Sequence, residues 1–227
     1  MKKKFYPVLS LTLLFVLIGC SHNAKSNNAS SDQNAAENNV SEESSQLLMA
    51  QPGGATRYEV NTQESKLAWA GESVIKVRHF GTVDISEGVI FELNGTPNSG
   101  EFVMDMNTIT SDNDSVTKHL KSDDFFAVEI YPTSRLLIKS IVGETDESTV
   151  GNYTITADLT IKEITNEIIF PAQISKQGTT YTGHAEFAID RTLWGVTFGS
   201  DNFFYDLKDK AIADEISFTL DITASAE

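Results

Sequence analysis

Cysteine is almost missing from this chain: Cys20 is the only one in 227 residues. Neither a disulfide framework nor a cysteine-based metal cluster can be built from it. Cationic side chains are scarce as well, with 17 Lys and Arg against 32 Asp and Glu. A surface of that sign repels polyanions at range, which excludes nucleic acid as a partner. No run of ten or more residues can serve as a crossover helix, which argues against a parallel βαβ sheet. Motifs for chemistry are equally thin. There is no G-x-S-x-G turn followed by a suitable acid and histidine, and no glycine-rich loop opening a helix. Nucleophilic hydrolysis and nucleotide cofactors therefore have no support. The histidines, His22, His79, His119 and His184, share no metal-ligand spacing. The acidic pairs of "DNDS" and "KSDDFF" are explained by helix capping and solvation, with Asp112 or Asp114 as the cap.

What is present begins with "MKKKFYPVLSLTLLFVLIGC". Lys2, Lys3 and Lys4 precede an apolar run, Val8–Ile18, that is too short to span a bilayer comfortably. Gly19-Cys20 follows it. This is the pattern of a lipoprotein signal peptide over residues 1–19, cleaved before Cys20, whose thiol then carries the acyl (palmitate-type) anchor. The competing reading is an ordinary secretory signal with a stray cysteine. Ser21 rather than an aspartate comes next, so outer-membrane residence facing the periplasm is expected. Loss of the three lysines leaves 14 basic against 32 acidic residues, a net charge of −18.

Residues 21–46 contain no aromatic side chain and, among large or branched aliphatics, only Val40. Such a segment cannot bury enough surface to offset chain entropy, so 20–55 reads as an acylated tether that ends at Pro52-Gly53-Gly54. A single domain, 56–227, follows. Its period is two. Tyr153, Ile155, Ala157, Leu159 and Ile161 face one way, as do Tyr181, Gly183, Ala185, Phe187 and Ile189, and again Ile216, Phe218, Leu220 and Ile222. These are half-wet antiparallel strands. Further strands are expected at 57–62, 65–77, 80–93, 100–109, 133–143 and 166–176, with turns at "NGTPNSG" and "KQG" and a short helix in "DNDSVTKHLKSDDFF". Gly183, Ala185 and Ala157 beside Phe187, Phe218 and Leu159 favour a barrel over a sandwich. They leave two interiors open: a cavity for an apolar ligand, or a solid core relieved of crowding.

Two places depart from strand character. "IDRTLWGVTFGSDNFFYD", 189–206, sets one cation, Arg191, among Trp194, Phe198, Phe203 and Phe204. Arg191 has two possible tasks, pairing with Asp190 or another carboxylate, or meeting a polar head group; pairing is favoured because a buried arginine without a partner is costly. His79, beside Arg78 and before Phe80-Gly81, either packs at a strand bend or presents donors to an anionic or carbonyl group.

Taken in order, "SKLAWAG", "HFGTVDISEGVI", "GEFVMDMNTIT", "HLKSDDFFAVEIYPTSRLLIKSI", "YTITADLTIKEITNEIIFPAQI" and "FAIDRTLWGVTFGSDNFFYD" resemble the YceI-like family of small envelope proteins across nearly the whole domain. One departure is in "ITADLTIKEITN", where the family usually has glycines near Ala157 and Glu163, a change that narrows the space beside Ala157. The resemblance implies an all-β, extended lipocalin-like antiparallel barrel of about eight strands, with one or two short helices. It also implies a long apolar tunnel for an isoprenoid quinone or polyprenyl lipid, or a similar amphiphile, with no other cofactor. On this view Trp69, His79, Phe80, Phe125 and Phe126 line the tunnel or its rim. So do Ala157, Ala185 and Phe187 on the strands, and Arg191, Trp194, Phe198, Phe203 and Phe204 in the loop. The function implied is a non-catalytic carrier or sequestering protein. The alternatives are an enzyme or stress factor acting on such a lipid, or a solid-cored barrel with a structural role.

Overall fold

The structure, a computed structural model, describes residues 52–144, 152–204 and 206–226. The signal peptide, Cys20, His22 and the tether up to residue 51 lie outside the described residues, as does Tyr205. Nine strands follow in chain order. They are β1 (Thr56–Val60), β2 (Lys66–Ser73), β3 (Arg78–Leu93), β4 (Thr96–Asp105), β5 (Thr133–Gly143), β6 (Asn152–Ile161), β7 (Ile164–Gln177), β8 (Thr180–Asp190) and β9 (Ile212–Ala226). One α-helix, α1 (Asp114–Lys121), lies between β4 and β5, and short 3-10 turns follow β4 and β8.

All pairings are antiparallel, and the ladder returns on itself through β3–β4. β1 and β2 share one position: β2 pairs with the first half of β3 and of β9, while β1 pairs with their far ends. The result is a closed barrel of eight positions, as the family resemblance implied. Closure leaves no long free edge. The expected strand ends move by a few residues. Asn94 and Gly95 both adopt positive φ, 54° and 82°, so the turn in "NGTPNSG" needs only two residues and β4 starts at Thr96.

Side-chain parity changes once within β3. Val83 and Ile85 point inward; an irregularity between Ile85 and Glu87 then shifts the register, so Gly88 and Ile90 are the inward residues beyond it. Val89 and Phe91 consequently face outward, and they are nonetheless fully buried, with Ala55, in a small cluster apart from the interior. One end of the barrel is closed by polar contacts. Glu92 accepts hydrogen bonds from the hydroxyls of Tyr58 (3.1 Å) and Tyr181 (2.5 Å) and pairs with Lys176, whose ammonium also lies over both rings. The opposite end carries α1 and the connections β2–β3, β6–β7 and β8–β9.

Helix α1 is capped by Asn113, which accepts from the backbone N–H of Ser115 and Val116. The cap is thus neither Asp112 nor Asp114. Asp112 is drawn instead to β3, where its carboxylate meets His79 Nδ1 at 3.0 Å, the Ser111 hydroxyl at 2.9 Å and the Phe80 N–H.

Candidate functional site in the barrel interior

The inward rows of β2 through β9 enclose apolar space in two parts. The larger, about 90 Å³, lies toward the α1 end and is walled by Trp69, Phe102, Phe125, Phe126, Phe187 and Phe218, among other apolar side chains. The smaller, about 60 Å³, lies deeper, between Ile90, Ile138, Phe170, Ala185 and Ile222. Phe102 and Leu220 touch both, so they form the partition. A dry cavity of about 150 Å³ is enough to hold benzene. The interior is therefore not a solid core: it holds two apolar spaces that meet at Phe102 and Leu220.

A third space of about 220 Å³ sits above the first and forms its mouth, sharing Trp69, Leu120, Phe125, Arg191 and Ile216 with it. His79 and His119 stand on its wall. His119 packs edge-on against Phe125 and Phe198 at 4.9 and 4.8 Å between ring centres, and its Nε2 lies 2.9 Å from Asp124. The His79 ring, with the Ser111 hydroxyl, holds the Asp112 carboxyl below its ordinary range. His119 thus belongs both to α1 and to the wall of this space. Its helix face, with Val116 three residues before it and Leu120 beside it, is the signal that places it over the barrel end.

The β8–β9 connection divides in two. Arg191 and Trp194 turn inward on a 3-10 turn capped by Asp190, whose carboxylate accepts from Thr192 N–H (2.9 Å) and its hydroxyl (2.6 Å). Trp194 is 1% exposed and donates its indole N–H to Leu159 O at 2.9 Å. Trp69 does the same to Thr110 O at 3.1 Å. Both rings are thereby fixed as wall.

Arg191 is 2% exposed and uses its whole fork. Nε donates to Ala213 O, Nη1 to Val196 O (2.6 Å) and Phe198 O (3.0 Å), and Nη2 to Ile212 O (3.2 Å) and Asp214 Oδ1 (3.3 Å). Five N–H groups meet five acceptors, so none is left for a head group. The carboxylate partner is Asp214, not Asp190, which is already engaged as the cap. Burial pulls the guanidinium pKa below its ordinary value, against the opposing pull of Asp214 and Asp190.

The other expected residues separate by position. Phe125, Phe126, Ala185 and Phe187 join Trp69, Arg191 and Trp194 in lining the cavities, and Phe198 joins the mouth through the rings of His119 and Phe125. Phe80, Phe203 and Phe204 lie on the outside at the same end, 57%, 54% and 47% exposed, and line none of the three spaces. Ala157 is fully buried but lines none of them either, because Ile138 and Ile168 stand opposite it on β5 and β7 and close the gap. Phe102 and Leu220 were not singled out from sequence; both lie in plain alternation, and nothing local distinguishes a partition from any other core residue.

Known proteins place this barrel in context. No curated protein sequence matches the chain. Among solved structures, BcnA of Burkholderia cenocepacia superposes with a TM-score of 0.59 at 16% identity, covering 73% of this chain and 99% of that one. A polyisoprenoid-binding domain from Saccharophagus degradans superposes with a TM-score of 0.56 at 12% identity, covering 75% and 98%. At such identities the likeness is one of fold. The profile of the YceI-like domain matches residues 58–224. The chain belongs to the family of YceI-like domains.

Proposed function

We infer that this protein binds a hydrophobic chain, isoprenoid or similar, inside the barrel and carries or sequesters it without catalysis. The observation that carries this reading is the wall of the interior. In the larger cavity the lining is aromatic and aliphatic apart from Ser134 and Arg191, and Arg191 is saturated by its own protein. Such a wall discriminates by length and shape, and each apolar contact contributes in proportion to the area it removes from water, about 25 cal/mol per Å². The similarity in fold to a polyisoprenoid-binding domain supports the same ligand class. Attachment of Cys20 to the outer membrane through an acyl group, inferred from sequence, would keep the barrel beside a source of such lipids.

The test is titration of the delipidated chain with an isoprenoid quinone and with a polyprenyl phosphate, following Trp69 and Trp194, whose rings wall the larger cavity. A saturable change with at least one ligand is expected. A folded protein that responds to neither refutes the carrier reading.

A further inference from the structure

The outer wall of the barrel is polar on most strands, as with Thr154, Thr156 and Asp158 on β6 and Thr219, Asp221 and Thr223 on β9. β3 to β5 depart from this. Their outward rows hold Val89 and Phe91 on β3, Val103 on β4 and Leu137 on β5. Glu101 lies between Val89 and Leu137 and pairs with Arg135, and Ser99 stands opposite Phe91. Val89, Phe91 and Glu101 are nevertheless fully buried, and Val103 and Ser99 nearly so. Strand neighbours flank such side chains and leave their ends open. Among the described residues only Ala55 joins Val89 and Phe91 in their buried cluster, and one methyl group is too small to cover both.

We propose that residues 47–51, the segment immediately before the described residues, dock on this face as a strap, with Leu47, Leu48 and Met49 against Val89, Phe91 and Val103. Composition, direction and length all select that segment. Leu47, Leu48 and Met49 are, with Val40, the only large apolar side chains between Cys20 and Pro52. The chain is also turned toward the face. Ala55 N–H donates to Pro52 O at 3.1 Å across Gly53 and Gly54, and Gly54 has φ 76°, the positive value that a type II turn needs there. Residues before Pro52 therefore run back along β1. They cannot join the sheet, because β1 is already paired with β3 on one side and β9 on the other. The inside is filled by Tyr58 and Val60, which leaves the outer side, where Ala55 joins Val89 and Phe91. Five extended residues span about 16 Å at ~3.3 Å each, and the steps from Phe91 to Glu87, which stands opposite Val103, span about 13 Å. Running from Phe91 toward Val103, the strap leads the chain from the Glu92 end toward the end that carries the mouth. An acyl anchor at Cys20, inferred from sequence, would then hold the barrel with its mouth turned to its own membrane. That use rests on the anchor; the contact itself does not.

The full chain is tested with a photo-crosslinker in place of one strap residue. Leu48→p-benzoylphenylalanine, irradiated and digested, should attach to peptides from 87–103 or 135–137 of the same chain, and the same probe at Asn28 should show no such preference. Adducts scattered over the barrel, or none, overturn the proposal. So do adducts between chains, because the cover is then a second copy. Urea unfolding reads the contact independently. Leu47→Ser, Leu48→Ser and Met49→Ser combined should lower the midpoint by on the order of 1 M, whereas Val40→Ser should not move it. An unchanged midpoint in the triple variant overturns the docking as well.

Discussion

At the residue scale, Arg191 decides the shape of the β8–β9 connection. Its five hydrogen bonds tie the strand end after β8 to Val196 and Phe198 ahead and to Ile212, Ala213 and Asp214 on β9. Arg191→Ala leaves buried carbonyls and Asp214 short of partners, at a cost of about 3–5 kcal/mol in urea unfolding. Arg191→Lys recovers only part, since an ammonium cannot span the fork. Affinity for a polar head group in whatever remains folded should change little, because no Arg191 N–H is free to meet one. Glu92 gives the pH dependence. The hydrogen bond from Lys176, then that from Tyr181, holds its carboxyl below the ordinary value. A depressed carboxylate pKa contributes stability at pH above the unfolded value, near 4.3, that is lost as pH falls through the folded value. Wild type should therefore lose more melting temperature between pH 6 and 3 (working values on the order of the carboxylate range) than Glu92→Gln does; equal slopes would show that Glu92 contributes nothing to acid lability. Sequence disclosed that Arg191 needed a partner, from composition alone. It could not disclose which one, because Asp214 lies 23 positions away and becomes a neighbour only through the closure of β8 on β9.

At the scale of elements, two glycines with similar surroundings in sequence differ in space. A Cβ on Gly81 would stand 1.9 Å from Thr110 O, the carbonyl that receives the Trp69 indole N–H. A Cβ on Gly183 meets only Ile222 Cβ at 3.9 Å, beside the smaller cavity. Gly81→Ala should push β3 away from the β4–β5 connection and lower stability, with red-shifted Trp69 emission as its mark. Gly183→Ala should be neutral or stabilise by about 0.4–1 kcal/mol through the unfolded chain. The partition between the cavities belongs to this scale too. Phe102→Ala joins them and costs about 3–5 kcal/mol, while longer chains bind relatively better than short ones; unchanged chain-length preference would mean that the two spaces are not used by one ligand. Strand existence was legible because alternation is local, and so was closure, because small and large inward residues recur on neighbouring strands. The parity change at Glu87, the sharing of one position by β1 and β2, and the outward burial of Val89 and Phe91 were not, since each depends on which residue of a distant strand stands opposite.

For the whole molecule, the termini and the mouth are at odds. Thr56 pairs with Glu92, so β1 enters at the Glu92 end of the barrel, away from α1 and the mouth. β3 has 16 residues, which at about 3.3 Å each and a barrel tilt near 40° gives a height of roughly 40 Å. If Cys20 carries the acyl anchor proposed above, the mouth reaches the same membrane only when the chain between them can run that height. The residues from Cys20 to Ala55 allow at most about 120 Å, at ~3.3 Å per residue. Removing residues 21–46 leaves a reach of roughly 30 Å, less than the barrel itself. The core cluster runs from Tyr58 to Ala224, so this deletion should leave the urea midpoint and the affinity for quinone in detergent unchanged. What it should abolish, on the proposed anchoring through Cys20, is loading from the anchoring membrane, measured as quinone transferred to the barrel from the vesicles into which the acylated protein is reconstituted. Transfer that survives the deletion at the full rate would mean that the mouth serves a facing membrane rather than its own.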